Sequence, residues 1–270
     1  MIANILKLIF RNFPIIKGKL WKSWYTYLGS KVISPDLRFM NYGYFSNDFH
    51  PTLSMKDESE RYPIHLYHYL CSKIELENLN ILEVGSGRGG GADYISRIFK
   101  PKKVAAVDIS KSAIELCNKF YNRQNLEFVC GDSEDLPFDK ESFDVVLNVE
   151  SSHCYPSFDN FLKEVARVLK PSSYFLFTDF RPSNDLESLN KSINNYFDVY
   201  SKEEITTNVI SALDLMSEKR AKQIENFLPS FLSHISLSFA GVKGSDLYES
   251  FVKKDLRYYM YVLKPKYCEK

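Results

Sequence analysis

Residues 81–91 join a short apolar run to a cluster of five glycines, and read Ile81-Leu82-Glu83-Val84-Gly85-Ser86-Gly87-Arg88-Gly89-Gly90-Gly91. The apolar run predicts a buried strand, and the residues up to Phe99 predict a helix that begins at Gly89. Glycine has no Cβ, so the loop can turn tightly and let a bound molecule approach its backbone. The segment therefore predicts a strand, a ligand-binding loop and a helix.

Strands and helices alternate from this loop towards the carboxyl end. Apolar runs predict further strands at 103–107, 126–129, 143–149, 174–178 and 196–199, and a final edge strand at 256–263. Helical patterns are found at 111–121, 158–169, 185–194 and 245–252. This order is typical of βα units on a parallel sheet, so we predict an α/β, Rossmann-like fold with seven strands.

The same pattern predicts one domain. Residues 1–79 are interpreted as amphipathic and capping helices that belong to the domain formed with residues 80–270. Within the core, residues at about 202–253 are predicted to form a helical lid before the last strand. Helices inserted there would cover the carboxyl ends of the strands, where open α/β sheets bind their ligands.

Polar residues follow the predicted strands at positions that suit a nucleoside ligand. Asp108 ends the second strand, where its carboxylate could accept hydrogen bonds from both ribose hydroxyls. Asp132 follows the third strand and could accept from an adenine amino group. Asp108 would suit NAD equally well, and Gly85, Gly87 and Gly90 also satisfy the dinucleotide pattern. The full set of predicted cofactor-binding residues is Glu83, Gly85, Ser86, Gly87, Gly89, Asp108, Ile109, Asp132, Ser133 and Asn148.

Charge and cysteine usage argue against several classes of protein. The net charge of +1 provides no basic surface for nucleic acid, so we expect no nucleic-acid partner. The five cysteines contain no C-x-x-C pair, a spacing that argues against a zinc site or a disulfide framework. We therefore expect no metal and a cytoplasmic location.

The amino-terminal segment is basic and amphipathic. Residues 1–34 contain no acidic side chain, and apolar residues from Ile2 to Phe13 form one helical stripe that ends at Pro14. Such a helix could lie on an anionic membrane surface, or it could dock on its own domain. No uncharged stretch is long enough to span a bilayer.

The whole chain resembles a family of class I methyltransferases that use S-adenosylmethionine. It is similar to the phthiotriol/phenolphthiocerol dimycocerosate O-methyltransferases and the fatty-acid O-methyltransferases at residues 39–44, 66–68, 89–92, 143–156, 181–182, 239–242 and 259–261. The resemblance implies S-adenosylmethionine as cofactor, Glu83 near its methionine amino group, and a lipid hydroxyl or carboxyl as methyl acceptor. Arg88 in the loop and the acidic stretch Asp57-Glu58-Ser59-Glu60 depart from the family pattern.

His153 and Asp179 are the predicted catalytic residues. His153 lies just past the fourth predicted strand, and Asp179 ends the neighbouring fifth strand. An alcohol loses its proton as it attacks the methyl group, and histidine is a suitable base, which Asp179 could orient. A carboxylic acid is already ionised near neutral pH, and His153 would then only position it. A packing role for His153 is the alternative interpretation.

Three tyrosines are predicted to contact the substrate. Tyr42, Tyr44 and Tyr155 could surround the cationic sulfonium or exclude water, although all three also suit a hydrophobic core. The sequence leaves open methylation of carbon or nitrogen, an NAD-dependent oxidoreductase, and a regulatory protein that binds S-adenosylmethionine without catalysis. It does not predict the oligomeric state.

Overall fold

The computed structural model describes residues 38–227 and 240–266, with the side chains of residues 225–227 excluded. The predicted amphipathic helix of residues 1–34, and with it the predicted membrane contact, lies outside the described residues. Within the part that is described, no helix is both long and apolar enough to cross a membrane.

The described residues form an α/β sandwich around one seven-stranded sheet. The strands are β1 (Asn80–Val84), β2 (Lys103–Asp108), β3 (Leu126–Cys130), β4 (Phe143–Val149), β5 (Leu169–Pro182), β6 (Phe197–Glu204) and β7 (Leu256–Pro265). The helices are α1 (Arg61–Cys71), α2 (Gly90–Ile98), α3 (Lys111–Phe120), α4 (Phe158–Val168), α5 (Leu186–Tyr196), α6 (Thr206–Phe227) and α7 (Asp246–Val252). The predicted Rossmann-like fold is confirmed.

The strand order is β3-β2-β1-β4-β5-β7-β6. Strands β1 to β5 are parallel, whereas β7 runs antiparallel to both β5 and β6. The order reverses between β1 and β4, which creates the switch point at which open α/β sheets bind ligands. The glycine loop follows β1, so the fold places it at this point.

Alternate residues of the central strands point to opposite faces of the sheet and fill two hydrophobic layers. Ile81 packs in the layer beneath α1 and α2, whereas Leu82 and Val84 pack in the layer beneath α4. Helix α4 begins at Ser157, whose hydroxyl accepts from the Asn160 N–H at 3.2 Å, and buries one apolar stripe. Because both faces are covered, the central strands β1, β2 and β4 are mostly apolar, as expected for a parallel sheet.

Two sequence predictions about the carboxyl-terminal strands were wrong. Residues 256–263 were expected to form an edge strand, yet β7 lies between β5 and β6, and β6 is the edge. The alternating pattern of β7 does not show how many neighbours the strand has, because pairing on both sides depends on distant residues. The lid was expected to begin at 202, but β6 continues to Glu204 and α6 begins at Thr206.

Helix α6 packs against the segment that precedes α1. The Asn208 side chain donates to the Phe45 carbonyl at 3.0 Å, and the Phe45 N–H donates to the Asn208 carbonyl at 3.2 Å. Further along the helix, Arg220 donates to the Asn41 carbonyl at 2.5 Å. The first turn of α6 is joined to the sheet, since the Ile205 N–H donates to the Tyr258 carbonyl. Residues 41–45 and helix α6 thus pack together beside β7, and we call these two segments the cover.

Candidate active site

The glycine loop has the left-handed backbone that its glycines predicted. Gly85 has a φ of 78° and Gly87 a φ of 53°, values that side-chain-bearing residues rarely adopt. A Cβ at Gly85 would collide with Ser151 and with the Tyr155 hydroxyl. At Gly87 a Cβ would meet only the Met40 sulfur, at 3.8 Å. The loop therefore packs against the β4 rim at Gly85 and is open at Gly87.

Asp108 holds this loop at the end of β2. Its two carboxylate oxygens accept from the Gly87 N–H and from the Ser110 N–H, both at 2.8 Å. Burial raises the pKa of Asp108, while the two backbone N–H groups act to lower it. Each oxygen can accept a further hydrogen bond, so Asp108 retains capacity for the predicted ribose hydroxyls.

Glu83 is buried at the end of β1 with one oxygen paired. The Tyr67 hydroxyl of α1 donates to its Oε1 at 2.6 Å, whereas its Oε2 has no hydrogen-bond partner among the described residues. Burial raises the pKa of Glu83 to about 8, although the bonds from Tyr67 and the Ala92 N–H act to lower it. A ligand cation at Oε2 would satisfy this oxygen and favour its ionised form.

Two more predicted cofactor residues carry buried polar atoms without partners. Ser86 Oγ and Asn148 Oδ1 make no hydrogen bond within the described part of the chain. Buried polar atoms are nearly always paired, so an unpaired one suggests a missing ligand or water. Glu83, Ser86 and Asn148 border one rim, and the observation fits a polar ligand held there.

The Asn148 amide anchors a small network across the rim. Its Nδ2 donates to the Val84 carbonyl at 2.9 Å, to Ser151 Oγ at 2.7 Å and to the Tyr155 hydroxyl at 3.0 Å. Tyr155 was predicted to contact the substrate, and the structure places it beside the cofactor loop at Gly85. Tyr155 therefore packs against the glycine loop, within hydrogen-bond distance of Asn148 and Ser151.

The predicted adenine contacts are solvent-accessible. Ile109 is 48% exposed immediately after β2, which leaves an apolar side chain available to cover a flat ring. Asp132 is exposed, and its Oδ1 accepts from the Glu134 N–H at 2.9 Å, while Ser133 is partly buried. The structure places these residues at the ends of β2 and β3, on the same rim as Asp108.

His153 and Asp179 are paired, as predicted. The imidazole Nδ1 lies 2.9 Å from Asp179 Oδ1, and the ring of Phe180 packs on the imidazole with centroids 4.4 Å apart. Asp179 is 2% exposed and also accepts from Ser152 Oγ at 2.6 Å and from the His153 N–H at 3.0 Å. Arg181 lies 3.0 Å from Asp179 Oδ2. This set of donors keeps Asp179 ionised and fixes the imidazole.

The charges of this pair favour a protonated imidazole. Burial acts to lower the pKa of His153, but the Asp179 carboxylate overcomes it, and the pKa rises to about 10. Burial likewise acts to raise the pKa of Asp179, but His153 and Arg181 hold it well below its usual range. The pair with Asp179 therefore favours a charged imidazole, whose Nε2 can donate a hydrogen bond.

The pair should make stability depend on pH in the alkaline range. Because the folded pKa of His153 lies above its ordinary value, its proton stabilises the folded state fully below about pH 6.5. That contribution is lost as the pH rises towards about 10. We expect the free energy of unfolding to fall more between neutral and alkaline pH in wild type than in His153→Gln, as measured by urea denaturation. Equal losses in both proteins would contradict the ion pair.

Tyr42 and Tyr44 lie in different surroundings. Tyr42 is buried beside the catalytic pair, with its ring 5.7 Å from that of Phe180 and the Arg220 guanidinium 5.8 Å from its centroid. Tyr44 instead stacks on Tyr69 of α1 at 4.3 Å. Within the described part of the chain, Tyr44 packs on Phe49 and Tyr69 and makes no contact with His153 or Asp179. The structure therefore brings Tyr42 to the His153–Asp179 pair and leaves Tyr44 in the hydrophobic cover.

The sequence analysis missed Glu150, which lies directly after β4. Its Oε2 accepts from the Tyr42 N–H and from the Tyr258 hydroxyl, both at 2.8 Å. The signal was available, because Glu150 lies between Asn148 and His153, at the same strand end as both predicted residues. Its partner Tyr258, on β7, could not be inferred from local spacing.

A surface depression of about 580 Å³ lies outside this rim. It is lined by Asp135, Leu136, Pro137, Phe138, Asp139, Ser142 and Arg167. Arg167 already donates to the Phe138 and Leu136 carbonyls and pairs with Glu164. Arg167 is therefore already paired within the protein, and none of the predicted site residues lines this depression.

Comparison with known proteins agrees with this geometry. Residues 82–177 match the family model of a methyltransferase domain. The chain is 37% identical over 245 residues to the phthiotriol/phenolphthiotriol dimycocerosates methyltransferase of Mycobacterium leprae, covering 90% of this chain and 91% of that protein. The chain belongs to this methyltransferase family. The prediction of an S-adenosylmethionine-dependent methyltransferase is thereby confirmed.

Two further relatives bear on the family and the fold. The fatty-acid O-methyltransferase of Mycolicibacterium smegmatis is 36% identical over 239 residues, covering 88% of this chain and 86% of that protein. The geranyl diphosphate C-methyltransferase of Streptomyces coelicolor, solved with Mg²⁺, geranyl diphosphate and S-adenosyl-L-homocysteine, has a TM-score of 0.64 at 16% identity, covering 90% and 98% of the two chains. At that identity the likeness concerns the fold alone, and the acceptor must be argued from the site.

Asp108→Ala tests the cofactor half of this site. We expect the affinity of the methyltransferase for S-adenosylhomocysteine to fall about 10- to 100-fold, since a charge-assisted hydrogen bond contributes about 1.5–3 kcal/mol. The loop N–H of Gly87 also loses its acceptor. Isothermal titration measures the change, and Asp139→Ala, an exposed acid outside the rim, serves as control. Unchanged affinity in Asp108→Ala would contradict the assignment.

Proposed function

We propose that this methyltransferase transfers the methyl group of S-adenosylmethionine to a hydroxyl or carboxyl oxygen of a hydrophobic, lipid-like molecule. The observation that carries the proposal is the His153–Asp179 pair, 2.9 Å apart, in which His153 follows β4 and Asp179 lies within β5 just past the end of β4. It lies on the rim that also carries the glycine loop and Asp108. The names of two relatives, a dimycocerosates methyltransferase and a fatty-acid O-methyltransferase, support a lipid acceptor.

The rim residues fit S-adenosylmethionine. Glu83 Oε2 would receive its amino group, and Asp108 would accept from the ribose hydroxyls. The open side of Gly87 lets the ligand approach the backbone, and exposed Ile109 would cover the adenine. When bound, the cofactor supplies a methyl carbon activated by the sulfonium. The main task left to the protein is then alignment, which can contribute about 7–11 kcal/mol.

Aromatic side chains make the acceptor side of the rim apolar. Tyr42, Phe180 and Phe251 pack with ring centroids 5.7–5.9 Å apart. Phe180 also packs on the His153 imidazole. An apolar wall around a few polar groups is typical of sites that bind a hydrophobic ligand and orient its polar end. We assign the acyl or alkyl part of the acceptor to this wall.

His153 would locate the acceptor oxygen. Because its pKa is raised to about 10, the imidazole carries a proton at neutral pH and can donate it from Nε2 as a hydrogen bond. A carboxylate acceptor is ionised near pH 7, so a charged donor positions it and no base is required. A hydroxyl acceptor needs a separate group to take its proton. His153 is therefore proposed as the residue that binds the oxygen in both cases.

Mass spectrometry with a deuterated methyl donor tests the proposal. Lipid extracts, a long-chain fatty acid and a long-chain alcohol would be incubated with the enzyme and labelled donor. We expect label on oxygen, as a methyl ester or methyl ether. Label on carbon or nitrogen would contradict oxygen transfer. Absence of label in every lipid, despite calorimetric binding of S-adenosylhomocysteine, would favour a regulatory protein, and heat with NADH alone would favour an oxidoreductase.

A further inference from the structure

Glu150 is an acidic side chain at the turn between β4 and His153, within the acceptor side of the rim. Its backbone is left-handed, with a φ of 49°, and its N–H donates to the Thr178 carbonyl of β5 at 2.8 Å. A non-glycine residue with this φ is uncommon and must be held by its surroundings. The turn directs the chain from the strand end into the segment that carries His153.

The two carboxylate oxygens of Glu150 differ in their contacts. Oε2 accepts from the Tyr42 N–H and the Tyr258 hydroxyl, both at 2.8 Å. Among the hydrogen bonds between residues 38–227 and 240–266, none reaches Oε1. One oxygen is thus anchored by the cover and by β7, and the other remains able to accept a proton.

Charged and titratable groups face Glu150 from every element that packs around it. They are Tyr42 of the cover, Tyr67 of α1, His153 and Asp179 of the β4 and β5 ends, Arg220 of α6 and Tyr258 of β7. The Arg220 guanidinium donates to the Ala240 carbonyl at 2.7 Å and to the Asn41 carbonyl, and its charge acts on Glu150. Burial raises the pKa of Glu150 to about 8, while Tyr42, Tyr258 and His153 act to lower it. Both protonation states are therefore accessible near neutral pH.

We propose that Glu150 is the catalytic base for a hydroxyl acceptor, taking its proton on Oε1 while His153 holds the same oxygen. This role rests on the proposed oxygen methylation. The acceptor oxygen forms a bond to the methyl carbon as the carbon–sulfur bond breaks, and that electron pair stays on sulfur. The hydroxyl proton passes to Oε1, and the neutral Glu150 then returns it to solvent.

Glu150 is assigned as the base and His153 as the hydrogen-bond donor because the two side chains have different partners. A base must be unprotonated when the acceptor binds, and the ion pair with Asp179 holds the proton on His153 more firmly than burial holds a proton on Glu150, whose pKa is about 8. Glu150 has no such counter-ion bond, because its anchored oxygen accepts from a backbone N–H and a tyrosine hydroxyl. A carboxylate acceptor carries no proton to remove, so only hydroxyl acceptors should require Glu150.

Glu150→Gln tests this role with two acceptors. The amide oxygen can still accept from Tyr42 and Tyr258, so we expect the variant to fold. For a long-chain alcohol we expect kcat to fall about 10²–10⁴-fold, the usual contribution of general base catalysis. For the matched fatty acid we expect less than about a tenfold change, since no proton is transferred. Glu115→Gln, an exposed acid on α3, is the control and should match wild type.

A readout without turnover completes the test. In wild type without cofactor, an infrared carbonyl band from protonated carboxyl groups should titrate near pH 8, and it should be weaker in Glu150→Gln, where Glu83 still contributes. If that variant does not fold, Glu150→Asp should retain part of the alcohol activity with a shifted pH profile. Alcohol methylation by Glu150→Gln at the wild-type rate would overturn the role. A wild-type enzyme that methylates only the fatty acid would also overturn the role of Glu150. A wild-type enzyme that labels neither acceptor would instead contradict the proposed function.

Discussion

Asp179→Asn is expected to lower kcat about 10- to 100-fold, because it removes the charge that keeps His153 protonated, and a charged hydrogen bond contributes about 1.5–3 kcal/mol. Without the Asp179 carboxylate, burial is the dominant influence on His153, and burial lowers its pKa. The imidazole would then be neutral at pH 7 and would no longer present a charged donor to the acceptor oxygen. The loss should appear with fatty acid and alcohol acceptors alike, since His153 is proposed to bind the oxygen of both.

The asparagine amide also disturbs the donors around it. Asp179 Oδ1 accepts from His153 Nδ1 and from the Phe180 N–H, and Oδ2 accepts from Ser152 and from the His153 N–H. In either orientation the amide NH₂ faces a set of donors that then lack an acceptor. An unsatisfied buried donor costs about 1–3 kcal/mol, so we expect a lower free energy of unfolding as well.

Three measurements on Asp179→Asn separate these effects. Steady-state rates give kcat, NMR titration gives the pKa of His153, and calorimetry gives the affinity for S-adenosylhomocysteine, which should stay near the wild-type value. Asp185→Asn is a suitable control, because Asp185 is exposed and its side chain makes no capping bond to α5. A folded Asp179→Asn enzyme with wild-type kcat would exclude the ion pair from catalysis.

The cofactor half of the site could be predicted because it depends on local spacing. A carboxylate before the first glycine, and another at the end of the next strand, reach one rim whenever both strands are parallel. Glu83 and Asp108 lie there, and the Asp108 carboxylate binds the Gly87 N–H across 21 residues. The starts of α3 and α4 could be predicted for the same reason. The Ser110 and Ser157 side chains each accept from a backbone N–H three residues later, which is a local contact.

The acceptor half depends on long-range packing, and the sequence predicted it less well. Tyr42 and Tyr44 are two residues apart, yet one reaches Glu150 through its N–H while the other stacks on α1. Which tyrosine faces the rim is decided by the cover against α6, a contact between segments more than 160 residues apart. The position of Glu150 after β4 could be read from the sequence, but its contact with Tyr258 could not, because the sequence did not predict that β7 lies between β5 and β6.

Asp57→Ala is expected to destabilise the protein by about 1–3 kcal/mol, because arginine N–H groups lose an acceptor while Arg97 keeps Asp93 and Arg38 keeps Glu60. Asp57 is 1% exposed, and its carboxylate lies 3.0 Å from Arg97 and 3.1 Å from Arg38. Arg97 is on α2, the helix that begins at the glycine loop. The acidic stretch that departs from the family pattern therefore joins the segment before α1 to the cofactor-binding helix.

The neighbouring acid provides a matched control. Glu58 pairs with Arg61, but the two side chains are 41% and 33% exposed. An exposed ion pair contributes about 0–1 kcal/mol, so Glu58→Ala should cost little. Urea denaturation of both variants gives the two free energies of unfolding. Equal losses would contradict a stabilising buried contact between Asp57 and the two arginines. Among the described residues, the Asp57 side chain contacts Ser54, Arg38 and Arg97 and no predicted cofactor residue. When the glycine loop keeps its structure, saturating S-adenosylhomocysteine should therefore stabilise Asp57→Ala and wild type by similar amounts.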